Sequence, residues 1–286
     1  MKAIGIGLIA FIIVIIIGAA AGTLYYVSLQ GSAPQQLPDL SASSSAAVAQ
    51  LKGSMLYQSL SSGQLTPSML SEPQNQSSQF NVTYSGKALI TAKIGGVSVP
   101  VAVPMVINNQ KFGNDSRIWA SLTGLPVVGG INASIIRIGN VTYICAPSNP
   151  LNKSSAPQCF QRWGGDSSTL TLFNLLSLIT SNMTLSVSSY YPSEYNQVSC
   201  VFTNSTLVLS QASQGLGSSS QGSGNLQSCI ALENNLPVTF AFSFSANNKN
   251  STVSSVMLNL VQSATSNAVS DAAIRALPAP VTNSTQ

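Results

Sequence analysis

The sequence contains no histidine. That excludes Ser–His and Cys–His nucleophile pairs and any site built on imidazole ligands. Carboxylates are scarce as well, with seven Asp and Glu in 286 residues. Glu72, Asp115, Asp166, Glu194, Glu233 and Asp271 are widely spaced and fall mostly in turn-like stretches. Nothing in that spacing places two of them across a scissile bond. Gly95-Gly96, Gly129-Gly130 and Gly164-Gly165 stand without the lysine and strand-to-helix setting of a phosphate loop. The expectation is a non-catalytic protein with no cofactor and no metal. Charge of either sign is rare, at 6% of residues, against about 25% in ordinary soluble chains. A scattered net charge of +4 lacks the clustered basic face that nucleic acid requires.

Cysteine is limited to Cys145, Cys159, Cys200 and Cys229. No further Cys, His or carboxylate lies near the first two, between Ile131 and Arg162, so a zinc knuckle lacks its remaining ligands. The Cys145–Cys159 spacing is also wrong for a Cys-x-x-Cys redox pair. A staple across paired strands remains, in a compartment where thiols oxidise. Among three possible pairings, the nearest-neighbour one joins Cys145 to Cys159 and Cys200 to Cys229.

The N-terminus fits such a compartment. Residues 3–30 carry no charge, and "IGIGLIAFIIVIIIGAAAG" is apolar or small throughout. A run of about 20 such residues matches the hydrocarbon core of a bilayer. Lys2 before it keeps the N-terminus inside and sends the remainder out. The run exceeds the usual h-region of a signal peptide, although Ala19-Ala20-Ala21 leaves a cleaved signal open. Acceptor patterns for N-glycosylation occur at Asn75, Asn81, Asn114, Asn132, Asn140, Asn152, Asn182, Asn204, Asn250 and Asn283. That is about twice the chance number, which favours a glycosylated exterior face. A surface poor in carboxylates loses little charge in acid. Anchor, sequons and charge poverty together suit an archaeal cell surface in an acidic medium.

The chain divides into an anchor over 1–29, a Ser/Pro-rich linker over 30–45, a β domain over 46–281 and a tail over 282–286. A short amphipathic helix is expected over 46–60, from apolar spacing at Val48, Leu51, Met55, Leu56 and Leu60. Strands then dominate. Phe80, Val82 and Tyr84 alternate with Asn81 and Thr83. Pro100 and Pro104 confine the next strand to an edge or a bulge. Strands at 115–123, 131–138 and 140–146 follow, the last two joined by the hairpin signal Gly139-Asn140. Leu172, Phe173, Leu176 and Ile179 fall at helical spacing within 168–181. Strands resume at 183–189, 197–210, 237–246 and 252–262. "SQGLGSSSQGSGN" reads as a flexible loop.

Val238, Phe240, Phe242 and Phe244 alternate with smaller residues, and Leu258 and Leu260 line one face of the next strand. If Asn81 and Asn204 bear sugar they point outward, and Phe80, Val82 and Tyr84 point in. This face is either a sealed core or partly open to an apolar ligand.

The order of these elements resembles the LolA-like lipoprotein-carrier superfamily, which includes the mycobacterial lipid-binding lipoproteins. The resemblance is carried by "GNVTYICAP", "CIALENNLPVTFAFSF", "STVSSVMLNLV" and "NAVSDAAIRALPAPV". Gly139 and Tyr143 stand where the family has its central "dG…Y" strand. Asn235-Leu236-Pro237 stands at its hairpin turn, and Ile274, Leu277 and Pro278 stand at its closing strand. The resemblance spans residues 46–281. It implies a curved antiparallel half-barrel with one or two capping helices, and a concave apolar face that takes acyl or isoprenoid chains. It also implies a lid made by Leu172, Phe173, Leu176 and Ile179. No cysteine precedes Cys145, so the lipidated anchor of the bacterial lipoproteins is replaced here by the apolar helix. The implied partners are membrane and lipid or lipidated protein. A different reading takes "MKA" and the apolar run as a pilin-like leader and filament helix, which makes the β domain the coat of a filament or a surface-layer subunit.

Overall fold

The computed structural model describes residues 60, 64–65, 79–94, 97–125, 129–147, 156–163, 183–209, 222–234, 236–246 and 253–282. The strands in chain order are β1 (Gln64–Leu65), β2 (Gln79–Ile94), β3 (Val97–Phe112), β4 (Asp115–Leu125) and β5 (Gly129–Ile138). β6 (Val141–Pro147), β7 (Pro157–Trp163), β8 (Met183–Tyr195), β9 (Val198–Leu209) and β10 (Gly222–Ala231) continue the series. It ends with β11 (Pro237–Ala246), β12 (Val253–Ser266), the helix α1 (Asp271–Arg275) and β13 (Val281–Thr282). The apolar run at 3–30, the linker, the 46–60 helix except Leu60, and the whole of 168–181 lie outside the described residues. Among the described residues no helix is long and apolar enough to cross a membrane.

The thirteen strands of the described residues join one open, curved sheet in the order β1-β8-β9-β10-β11-β12-β2-β3-β4-β5-β6-β7-β13. It consists of two meanders, β2 to β7 and β8 to β12, joined where β12 pairs antiparallel with β2. Among the described residues every pairing is antiparallel except the short one between β13 and β7. The turn chemistry makes the meanders local. Gly113 and Gly139 have φ of 57° and 55° and begin two-residue turns, each followed by an asparagine without positive φ. That is the type II′ pattern, in which glycine takes the left-handed position. Asn196 and Gln197 both have positive φ, at 48° and 66°, which matches a type I′ turn between β8 and β9. Register shifts in β4–β5, β8–β9, β10–β11 and β12–β2 insert bulges that bend the strands.

Besides the two-residue β1, in a stretch expected to be loop, and β13, two longer strands escape the sequence pattern. β7, "PQCFQRW", is short, begins with proline and mixes polar residues with Cys159 and Phe160. β10, "GSGNLQSCIA", begins inside the stretch expected to be a flexible Gly/Ser loop. Its glycines lie between β9 and β11, with Gly224 opposite Leu207 and Phe244. Glycine has no side chain to pack at that position, so the strand is held there by backbone pairing on both sides. Elsewhere the shifts are at ends: β8 runs on to Tyr195, β12 to Ser266, and Thr282, expected in the tail, belongs to β13. Pro100 and Pro104 fall along the length of β3 that pairs with β2 alone, because pairing with β4 begins at Met105. Proline, with no N–H to donate, fits there.

One face of the sheet carries the main core. Phe80, Val82, Tyr84, Ile107, Ile118, Ile135, Val201, Leu226, Ile230, Phe240 and Leu260 form a single cluster, joined by Leu60 from the segment preceding β1. The reverse face holds two smaller clusters, each centred on a cysteine pair. Cys145 faces Cys159 directly across β6 and β7, with Cα atoms 4.0 Å apart. Cys200 and Cys229 bridge β9 and β10 diagonally, at a Cα separation of 5.6 Å. All four are buried, and both pairs stand at bonding distance.

The C-terminal segment covers part of the reverse face. Ser270 caps α1 by accepting from the Ala273 N–H. Ile274 is buried, and Arg117 donates to the carbonyls of Ala273 and Ala276 at the helix end. Arg275 donates to Asp115 Oδ2 at 2.8 Å, and Asp115 Oδ1 accepts from the Gly139 N–H at the same distance. Asp115 therefore ties a hairpin turn to α1.

A prediction concerns the diagonal cystine. It closes a loop with a separation of 29 residues, worth roughly 3–4 kcal/mol in the chain-entropy model. Replacing Cys200 and Cys229 together by alanine should lower the melting temperature by about 6–16 °C for a domain of this size. A thermal scan checks this, and non-reducing peptide mapping should link Cys200 only to Cys229.

Candidate functional site

Strand register assembles the core face into rows. Gly86 opposes Leu260, which opposes Phe240, which opposes Ser228. In the next row Ala88, Leu258, Phe242 and Leu226 stand in line, followed by Ser205 of β9. A third row runs through Ile90, Val256, Phe244 and Gly224. Two period-2 strands, "VTFAFSF" and "VMLNLV", thus set their apolar residues side by side across β11 and β12. Phe80, Val82 and Tyr84 of β2 continue the face toward β3.

Burial grades along these rows. Phe240 and Leu260 are fully buried, as are Val82 and Tyr84, while Phe80 is 5% exposed. Phe242, Phe244 and Leu258 are only partly buried against the same cluster. The face is therefore closed around Phe240 and incompletely covered toward the far ends of β11 and β12.

Val238 does not join the other three aromatic-face residues of its strand. It packs with Cys200, Cys229 and Ala231 on the reverse face. The cause is a bulge: Cys229 opposes Thr239 while Ile230 opposes Pro237, so Val238 is the extra residue. One inserted residue breaks the period of two and turns the side chain over. Val238 is thus removed from the expected apolar wall. The expected lid residues Leu172, Phe173, Leu176 and Ile179 lie outside the described residues.

Polar groups interrupt the core face. Ser228 donates to the Thr239 carbonyl at 2.7 Å, and Thr203 to the Ser228 carbonyl at 3.2 Å. The Tyr84 hydroxyl, both polar atoms of the Asn109 side chain and the Ser205 hydroxyl are buried with no hydrogen-bond partner among the described residues. Composition and alternation did not point to Asn109 or Ser205. Their one sequence-level signal is a polar residue where the alternation of a strand requires an apolar one.

Complete burial pushes the Tyr84 phenol far above its usual range. This carries a pH prediction. The unfolded chain releases that proton above about pH 10 and the folded chain retains it, so stability is full below about pH 10 and falls as pH rises. The slope from this one group is about 1.4 kcal/mol per pH unit. Tyr84→Phe should flatten the alkaline limb by that amount in denaturant titrations run at increasing pH. An unchanged limb would show that Tyr84 ionises in the folded state.

Of the sequon asparagines, Asn114, Asn132 and Asn140 are exposed. Asn81 is half-buried on the reverse face, where its Oδ1 accepts from Asn108 at 2.7 Å. Asn204 is also half-buried, with its Oδ1 buried and unpartnered among the described residues. Asn75, Asn152, Asn182, Asn250 and Asn283 lie outside the described residues. Among the described residues no three His, Cys, Asp or Glu side chains gather as a metal site would require.

The class defined by this geometry is an open antiparallel β sheet with one extensive apolar face. No family model matches the chain, and no curated protein matches it. Among solved structures it is similar to a DUF1329 family protein from Desulfovibrio piger, at 10% identity and a TM-score of 0.30, over 73% of this chain and 95% of that one. It is also similar to a "putative outer membrane lipoprotein-sorting protein domain" from Vibrio parahaemolyticus, at 6% identity and a TM-score of 0.32, over 73% and 94%.

Proposed function

We propose that this chain is a membrane-anchored, N-glycosylated extracellular protein that binds an apolar ligand without catalysis. The ligand class is a lipid, or the acyl or isoprenoid chain of a lipidated protein. One observation carries the reading: the core face is apolar across β10, β11, β12 and β2 but only partly covered at Phe242, Phe244 and Leu258. An aromatic stripe left open on a β protein is an aggregation hazard unless something covers it. A carrier places it under a removable cover and a ligand. The two cysteine pairs support an oxidising compartment. The apolar run over 3–30 supplies the anchor.

The test is mass spectrometry of lipids that co-purify with the full-length chain from its native membrane, paired with titration of a fluorescent acyl probe. A stoichiometric lipid displaced by the probe is the expected result. A chain that carries no lipid and binds no probe overturns the reading, and the filament or surface-layer assignment then leads.

A further inference from the structure

The core face has a polar pole that an apolar ligand alone leaves unused. In the β2–β3 register Val82 opposes Asn109, Tyr84 opposes Ile107 and Phe80 opposes Lys111. Asn109 and Lys111 therefore project on the same face as Phe80, Val82 and Tyr84. Asn109 is 1% exposed and Lys111 is 2% exposed. Lys111 opposes Ser116 on β4, and Ser116 opposes Arg137 on β5. Both are buried. At the strand repeat, Asn109 and Lys111 stand about 7 Å apart along β3.

The unmet groups lie where this face meets the apolar rows. Asn109 Nδ2 and Oδ1 and the Tyr84 hydroxyl are buried with no partner among the described residues. Burying such groups unpaired costs free energy that leucine and phenylalanine at the same positions would avoid. Packing alone gives no reason for an amide at position 109 among Val82, Ile107 and Ile118. A ligand that completes the missing bonds does.

We propose that Tyr84, Asn109 and Lys111 receive the acidic head, a carboxyl or phosphate group, of an amphiphile whose chain lies along the apolar rows of β2, β12 and β11. The proposal rests on the carrier reading and names its ligand class. The Tyr84 O–H and Asn109 N–H donate to head oxygens, and on a singly ionised phosphate head the remaining P–O–H donates to Asn109 Oδ1. The ammonium of Lys111 supplies the opposite charge, while Arg137, two strands away in the same row, donates from Nε to the Gly139 carbonyl. Burial lowers the Lys111 pKa, and an anion beside it restores the charged form.

The experiment uses the full-length chain, stripped of lipid, and three fluorescent probes with one common alkyl chain. One ends in a carboxylic acid, one in a phosphate and one in a methyl ester. The acid or the phosphate should bind at least about tenfold more tightly than the ester, and the two acidic arms identify which head is preferred. Asn109→Leu should bring the acidic probes down to the affinity of the ester while leaving the melting temperature of the empty chain unchanged or higher. Tyr84→Phe, a smaller change, gives a second reading of the same loss. Equal binding of the three probes overturns the head site and leaves the carrier reading standing. Retained preference for the acidic probes in both variants does the same. Binding of none of the three overturns the carrier reading and the head site together.

Discussion

Gly86→Ala is expected to destabilise the fold by about 4 kcal/mol or more, the range reserved for substitutions that force the backbone to move. Gly86 lies in β2 opposite Leu260 of β12. A Cβ built on it would fall inside the backbone carbonyl of Asn259 and press on the Cα of Leu260. Both obstacles are backbone, so no side-chain rotation relieves them. The position is also the worst one for a local shift, because β12–β2 is the pairing that joins the two meanders. Opening it separates Phe240 and Leu260 from Val82 and Tyr84 in the main cluster. Gly130→Ala is the control: its Cβ would meet one atom, the Leu122 carbonyl oxygen at 3.3 Å. Its cost should stay within about 1 kcal/mol. Equilibrium unfolding of both variants decides the matter. A Gly86→Ala chain as stable as its parent would mean that β12 does not approach β2 as described.

The second large effect separates core from ligand wall on a single strand. Phe240→Ala should cost roughly 3–5 kcal/mol, because a fully buried ring leaves a cavity that its neighbours cannot fill. Phe242 lies two residues on, on the same face, and is only partly buried. Phe242→Ala should therefore cost about half as much in stability, since less apolar area returns to water. Its affinity for an acyl probe should fall about tenfold, equivalent to about 1.4 kcal/mol of lost contact. Two measurements on each variant give a cross-over: stability drops most at Phe240, and affinity drops most at Phe242. If Phe242→Ala matches Phe240→Ala in stability and changes no probe affinity, the whole face is sealed core. The carrier reading then loses the observation that supports it.

Much of the sheet was readable as pattern. Alternation in "QFNVTYS" and "PVTFAFSF" placed β2 and β11 and the faces of Phe80, Val82, Tyr84, Phe240, Phe242 and Phe244. Gly139-Asn140 placed a turn, because only a residue tolerant of positive φ starts a type II′ hairpin. β10 was not readable. Its glycines and serines have the composition of a linker, and they form a strand because β9 and β11 offer unpaired backbone on either side. Strand propensity of this kind is set by neighbours more than by the residue itself. Val238 failed for another reason: strict alternation assumes no bulge, and a bulge is a two-strand property that one strand cannot reveal.

The candidate site divides in the same way. The apolar rows follow from period-2 alternation within each strand, and the sequence alone sets which residues share a face. Which strand lies beside which is a long-range matter. Pairing β12 with β2 brings together residues separated by most of the domain, and no local pattern encodes that closure. The sheet order therefore decided that Tyr84, Asn109 and Lys111 meet on adjacent strands of the core face. Alone, Asn109 is a polar residue that interrupts the apolar alternation of β3. Its isolation from hydrogen-bond partners arises only when β2 and β4 close on either side of it. The sequence by itself determined the compartment signals, the strand faces and the absence of histidine. Tertiary structure determined where burial is complete, where it stops, and which polar groups are left unmet, because burial is a property of the assembled sheet.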